Sequence, residues 1–263
     1  MCHMAAWLLT ALLLFLPLIG CDSGFQSGSD SADTIQKELL LYCGTTIAPA
    51  MREIADIFEQ REGCVVKILR GASNSLYHSI QINQVGDLYL PGSESYIEKC
   101  AAADMLLMSK KIGVNKAALM VAPGNPLHIS ADLNNFVAGR YRTVLALAET
   151  GAIGKETKRV FTAAGLYEQA IEQANILARD SKDMAAAIVA GRADLAFNWI
   201  ATGQNKATSA VEVIPLPATV APPHILRLAV LKTAYYPELA RQFVAFVVSP
   251  LAQQILHKHR LEE

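Results

Sequence analysis

Four short stretches of the chain place small, hydroxyl-bearing or glycine residues directly before a helical pattern. They are Gly44-Thr45-Thr46, Gly71-Ala72-Ser73-Asn74-Ser75, Ala152-Ile153-Gly154-Lys155 and Asp180-Ser181-Lys182. Thr45, Thr46, Ser73, Asn74 and Ser181 can donate hydrogen bonds without carrying charge. A helix start adds unpaired N–H groups and the positive end of the peptide dipole, so a short hydroxyl there completes a socket for an anion. The same residue types also serve as ordinary N-caps, each worth about 1 kcal/mol to the fold. The two readings differ in whether the hydroxyl turns back onto its helix or outward to a ligand.

Other chemistry is poorly represented. Ser73 and His78 lie five apart on one helix, with no GxSxG turn to expose a nucleophile. His257 and His259 are two apart and cannot share a helical face, and no HExxH, phosphate-loop or dinucleotide fingerprint is present. No enzymatic activity, cofactor or resident metal is therefore expected. Arg70, Lys155 and Lys182 are the basic residues in or beside the four stretches. They read as solvated helix-end charges rather than the clamp that an organic acid needs.

The elements that position these stretches alternate strand and helix. Leu39–Tyr42 is an apolar run, and Met51, Ile54, Ala55 and Phe58 then recur at helical spacing until Gly63. "CVVKIL" reads as a strand, the stretch after Gly71 as a helix, and "GDLYLPGS" as a short strand closed by Pro91-Gly92. Further along come a helix near residues 94–103 and strands in "AALMV" and "TVLA". A helix ends near Gly165, another ends at Gly191, a strand runs to Trp199, and two helices close the chain on either side of Pro250. This order predicts α/β architecture with helices on mostly parallel sheets. Strand-like or proline-marked crossings near residues 113–118 and 217–226 divide it into two lobes. Lobe one is then residues 37–116 with 221–263, and lobe two is 117–220.

The 263 residues are 52% hydrophobic and 18% charged, with formal net charge -1. That balance is globular and gives no general attraction to nucleic acid or acidic membranes, so an anion must be held by local geometry. Residues 1–20 read as a signal peptide, with an apolar run too short to span a bilayer comfortably. The "LIGC" ending resembles a bacterial lipobox, which implies cleavage before Cys21 and lipidation of its thiol. The Ser-, Gly- and Asp-rich residues 21–36 then read as a lipidated tether. Asp22 resembles the signal that retains some lipoproteins at the inner membrane. Cys43, Cys64 and Cys100 show no CxxC spacing. Cys43 and Cys64 flank one helix and either pair or remain buried thiols.

"CGTTIAPAMREIADIFEQREGCVVKILRGASNSLYHSIQ" resembles the opening of the periplasmic molybdate-binding proteins, and "GDLYLPGSESYIEK", "GAIGKETKRVFTAAGLYEQA" and "GRADLAFNW" resemble their later segments. The resemblance covers nearly all of residues 37–256. It implies the two-lobed type 2 periplasmic binding fold, with a ligand cleft between lobes and an ABC transporter permease as partner. Carried over by position, Thr46 and Ser73 donate hydroxyl hydrogen bonds from lobe one, with Thr45 and Asn74 beside them as further candidate ligand-binding residues. Backbone N–H groups near Gly154 and Lys155, and near Ser181, donate from lobe two, and Trp199 stands where the family usually has a tyrosine. The implied protein is a monomer on the periplasmic side of a bacterial membrane.

The donor set suggests which anion. Molybdate, tungstate and sulfate are acceptors only, whereas phosphate near neutral pH keeps a proton that needs an acceptor. An unmatched buried polar group costs about 1–3 kcal/mol, enough to discriminate roughly ten- to a hundredfold. The first two stretches hold no carboxylate, but Glu149, Glu156 and Asp180 lie near the others. Molybdate or tungstate is the first expectation. Phosphate, sulfate, a small organic anion and a sensor lipoprotein outside transport stay open.

Overall fold

Two sheets are built on one plan. In the computed structural model, which describes residues 36–204 and 210–262, the first has strand order β2-β1-β3-β10-β4 and the second β7-β6-β8-β5-β9. The first contains β1 (Glu38–Gly44), β2 (Val65–Gly71), β3 (Leu88–Leu90), β4 (Leu106–Asn115) and β10 (His224–Leu231). The second contains β5 (Ala117–Val121), β6 (Thr143–Ala146), β7 (Ile176–Ala178), β8 (Leu195–Trp199) and β9 (Glu212–Pro215). In the first sheet β1 is parallel to β2 and β3, while β10 is antiparallel to β3 and β4. In the second, β6 is parallel to β7 and β8, while β5 is antiparallel to β8 and β9. Each sheet therefore runs mostly one way, with a single reversed strand in its fourth position.

The chain changes sheets at two places. Only Lys116 separates β4 from β5, and the return passes from β9 to β10. The leader, Cys21 and the tether as far as residue 35 lie outside the described residues.

Helices cover both faces of the first sheet. The period of β1 sends Leu39, Leu41 and Cys43 to one side, against Met51, Ile54 and Phe58 of α1 (Ala48–Glu62). Phe243 and Val244 of α7 (Pro237–Val247) and Leu256 of α8 (Pro250–Lys258) complete that layer. Tyr42 faces the other side with Leu76 and Ile80 of α2 (Ser73–Asn83) and Ile97 of α3 (Ser95–Ala102). The second sheet packs against α4 (Ala152–Ala163), α5 (Tyr167–Gln173) and α6 (Ser181–Val189). There Phe136, Phe161 and Phe197 stack edge to face at 5.1 and 5.3 Å.

Cys43, Cys64 and Cys100 are buried free thiols, so of the two readings open in the sequence the structure shows the unpaired one. Burial pushes the Cys100 thiol up to about 11, which keeps it protonated and unreactive.

Candidate functional site

The carboxyl ends of β1, β2, β7 and β8 meet the starts of α1, α2, α4 and α6 around one small cavity. Such a place, beyond the strand ends of open α/β sheets, is where ligands collect. The walls contributed by the first sheet are Gly44, Thr45, Thr46, Gly71, Ala72, Ser73 and Gly92, and those of the second are Gly151, Ala152, Ile153, Arg179, Asp180, Ser181 and Trp199. The enclosed volume is about 30 Å³. A single water needs roughly 10–15 Å³ on the same measure, so the space suits a small ion.

Three of the four helices start without a side-chain cap. Ile47, Ala72 and Gly151 precede α1, α2 and α4, and none supplies a capping hydrogen bond. The hydroxyls of Thr45 and Thr46 thus do not cap α1, and no side chain takes the first-turn amides of these helices, although Pro49 in the first turn of α1 has no N–H to give. At α6 the capping reading holds: Asp180 Oδ1 accepts the Asp183 N–H at 2.9 Å.

Ser73 is the most constrained of the wall residues. It is buried, its carbonyl accepts the Tyr89 hydroxyl at 2.8 Å, and its Oγ accepts the Gly92 N–H at 3.0 Å. With its oxygen occupied as an acceptor, the hydroxyl hydrogen is available to a ligand. Trp199, 2% exposed, ends β8 at the cavity and has its ring edge-on to His224.

The two halves are in contact. A methyl placed on Gly92 would sit 3.1 Å from Ala152 Cβ, and one on Gly151 would sit 3.3 Å from Ala72 Cβ. Side chains at either position would hold the halves apart, so bare backbone is what lets the cavity close. Arg179 brings a positive charge to the wall, but its Nε donates to Asp183 Oδ2 at 2.7 Å and the side chain is 88% exposed. Beside it stands Asp180. Formal charges nearly cancel, which leaves amides, hydroxyls and helix dipoles as the attraction for an anion.

The sequence expectation put the donors of α4 near Gly154 and Lys155; neither residue lines the cavity. The helix begins at Ala152, so Ala152 and Ile153 line the cavity. Gly154 instead packs on the chain after β6, where a methyl would fall 1.7 Å from the Leu147 carbonyl oxygen. The Lys155 amide closes the first helical turn onto Gly151, and its Nζ lies 3.7 Å from the centre of the Tyr96 ring. Burial, and then the charge of Lys99, lowers the Lys155 pKa. Asn74 also lies outside the cavity wall; its Nδ2 reaches across to the Glu149 carbonyl at 3.4 Å. Thr45, Thr46, Ser73, Ser181 and Trp199 do line the wall. Gly92, Gly151 and Arg179 also line it and carry no ligand-binding signal in the sequence, where Pro91-Gly92 marks only a turn.

This geometry, two mostly parallel sheets closing their helix starts on one ion-sized cavity, defines a solute-binding protein. The chain belongs to the bacterial extracellular solute-binding proteins, whose family description matches residues 39–260. It is 22% identical over 251 residues to the molybdate-binding protein ModA of Mycobacterium tuberculosis, with 94% of each chain covered. Among solved structures it is similar to the periplasmic molybdate-binding protein of Azotobacter vinelandii, with TM-score 0.70 and 20% identity over 84% of this chain and 97% of that one. It is equally similar to the sulfate-binding protein SubI of M. tuberculosis, with TM-score 0.71 and 16% identity over 85% and 86%. The family places the protein outside the cytoplasm.

Proposed function

We propose that this chain is a lipid-anchored solute-binding protein that captures a bare tetrahedral oxyanion, molybdate or tungstate first, and delivers it to an ABC transporter permease. In this reading residues 1–20 are removed, Cys21 carries the lipid, and residues 21–36 tether a monomer to the outer face of the inner membrane. Residues 37–116 with 221–263 close against 117–220 about the two crossings. The observation that carries the proposal is the cavity wall: uncapped helix starts and short hydroxyls from both halves surround a space of about 30 Å³. Apart from Asp180, the wall offers mainly hydrogen-bond donors, which match an anion that has only acceptors. The molybdate-binding relatives support the same choice.

One observation favours a second reading. Asp180 lines the cavity, and only one of its carboxylate oxygens takes the cap hydrogen bond. The other offers an acceptor for the proton of phosphate. Native mass spectrometry of the protein purified from rich medium separates the two by mass of the retained anion. A molybdate or tungstate adduct is the expected result; a phosphate adduct favours the second reading.

A further inference from the structure

The chain returns to the first sheet at His224, and strand register sets this residue beside Asn115, the last residue of β4. His224 therefore stands where both crossings run together. Its Nε2 hydrogen-bonds Glu156 Oε2 on α4. Glu156 is 1% exposed, and Arg159 donates to its two oxygens at 2.8 and 2.6 Å. The same guanidinium reaches the Pro222 carbonyl at 3.3 Å, so α4 grips residues 222 and 224 together. On its other side the imidazole meets Trp199, with ring centres 5.7 Å apart and planes at 85°.

Glu156 follows Ala152 and Ile153 by one helical turn, so the helix that lends amides to the cavity also carries the carboxylate that holds His224. A buried carboxylate keeps its geometry because losing a partner is expensive. A buried indole packed perpendicular to a fixed ring has its side-chain torsions restricted, and a hydrogen bond fails within an ångström of misplacement. We propose that the Glu156–His224 pair is a clasp that makes His224 a positioning residue for Trp199, setting the indole against the bound anion and tying α4 to the second crossing. This rests on the reading of the cavity as an oxyanion site. Among the described residues, the charged groups around His224 are Glu156, which it bonds, and Arg159, which bonds Glu156 and the Pro222 carbonyl; Trp199 from β8 and Asn115, the register partner of His224, are neutral.

The test reads Trp199 alone, because Trp7 lies in the leader that the proposed function removes; a Trp7→Phe background keeps Trp199 the only tryptophan if the leader is retained. Calorimetry with sodium molybdate and the emission spectrum of the ligand-free protein are compared for wild type, His224→Ala and His224→Gln. The alanine variant is expected to bind molybdate roughly tenfold more weakly and to emit at a shifted wavelength. Glutamine keeps an N–H for Glu156 and is expected to restore most of both. A His224→Ala protein with wild-type affinity and emission overturns the clasp. If that variant does not fold, Glu156→Gln decides: a shifted Trp199 emission supports the clasp and an unchanged one overturns it. Wild type that binds no molybdate, tungstate, sulfate or phosphate defeats the site reading, and the ligand-free emission spectra still decide the positioning role.

Discussion

Ser73 Oγ accepts the Gly92 N–H at 3.0 Å, which joins the start of α2 to the loop after β3 and leaves the serine hydrogen free to point into the cavity. The bond explains why a serine sits at the first position of a helix that it does not cap. It also couples the candidate site to the bare backbone on which the two halves meet.

Ser73→Ala removes the donor and leaves the Gly92 amide without its acceptor. Molybdate affinity is expected to fall ten- to a hundredfold, in line with about 1–3 kcal/mol for an unmatched buried group. Isothermal titration calorimetry of the variant against wild type checks this, and an unchanged dissociation constant would remove Ser73 from the site.

Gly92→Val separates closure from folding. Its side chain would meet Ala152, only 3.1 Å from the position of its first carbon, across the seam between the halves. Affinity is expected to drop at least tenfold while Tm stays within a few degrees of wild type. Scanning calorimetry beside a binding titration distinguishes this from a variant that is merely unstable.

Gly154→Ala should do the reverse. The added methyl would fall 1.7 Å from the Leu147 carbonyl oxygen, a backbone atom that cannot move aside cheaply. Overpacking of this kind costs about 1–3 kcal/mol or more. Urea unfolding monitored by circular dichroism is expected to show that loss at an unchanged m-value.

Acid should weaken the fold in a defined window. For Glu156, burial alone would raise the pKa, but hydrogen bonds from His224 and Arg159 more than offset it and hold the carboxyl below its usual range. For Asp194, hydrogen bonds from Arg142 hold it down in the same way. A carboxylate with a depressed folded pKa contributes stability that is complete above its unfolded value, about 4, and is lost as pH falls through the folded one. Tm is therefore expected to vary little from pH 8 to about 5 and to fall below about 4. A Tm that rises on acidification through that window would contradict the assigned pairs.

Much of the fold was legible because periodicity is local. The spacing of Met51, Ile54, Ala55 and Phe58 marks the buried face of α1, and Gly63 closes that helix in the left-handed region at φ 63°. β4 was read only at its end, because exposed Lys110 and Lys111 break its apolar pattern. Those charges belong to an edge strand, where they discourage pairing with another chain. α5, at seven residues, is too short to show a helical period, and β7, three residues like β3, lacks the Pro-Gly turn that marks the end of β3. At the site, hydroxyls and an aromatic at strand ends were visible in Thr45, Thr46, Ser73, Ser181 and Trp199. Gly92 and Gly151 matter for what they lack, and Glu156 meets His224 across 68 residues of chain, so neither feature leaves a local signal.

The central claim is that hydrogen-bond donors from both halves converge on one bare oxyanion. Isothermal titration of the purified protein with molybdate, tungstate, sulfate and phosphate at neutral pH tests it most directly. A single site that prefers molybdate and tungstate, with phosphate ten- to a hundredfold weaker, is the predicted result. Absence of binding to all four, or phosphate bound more tightly than molybdate, would contradict it.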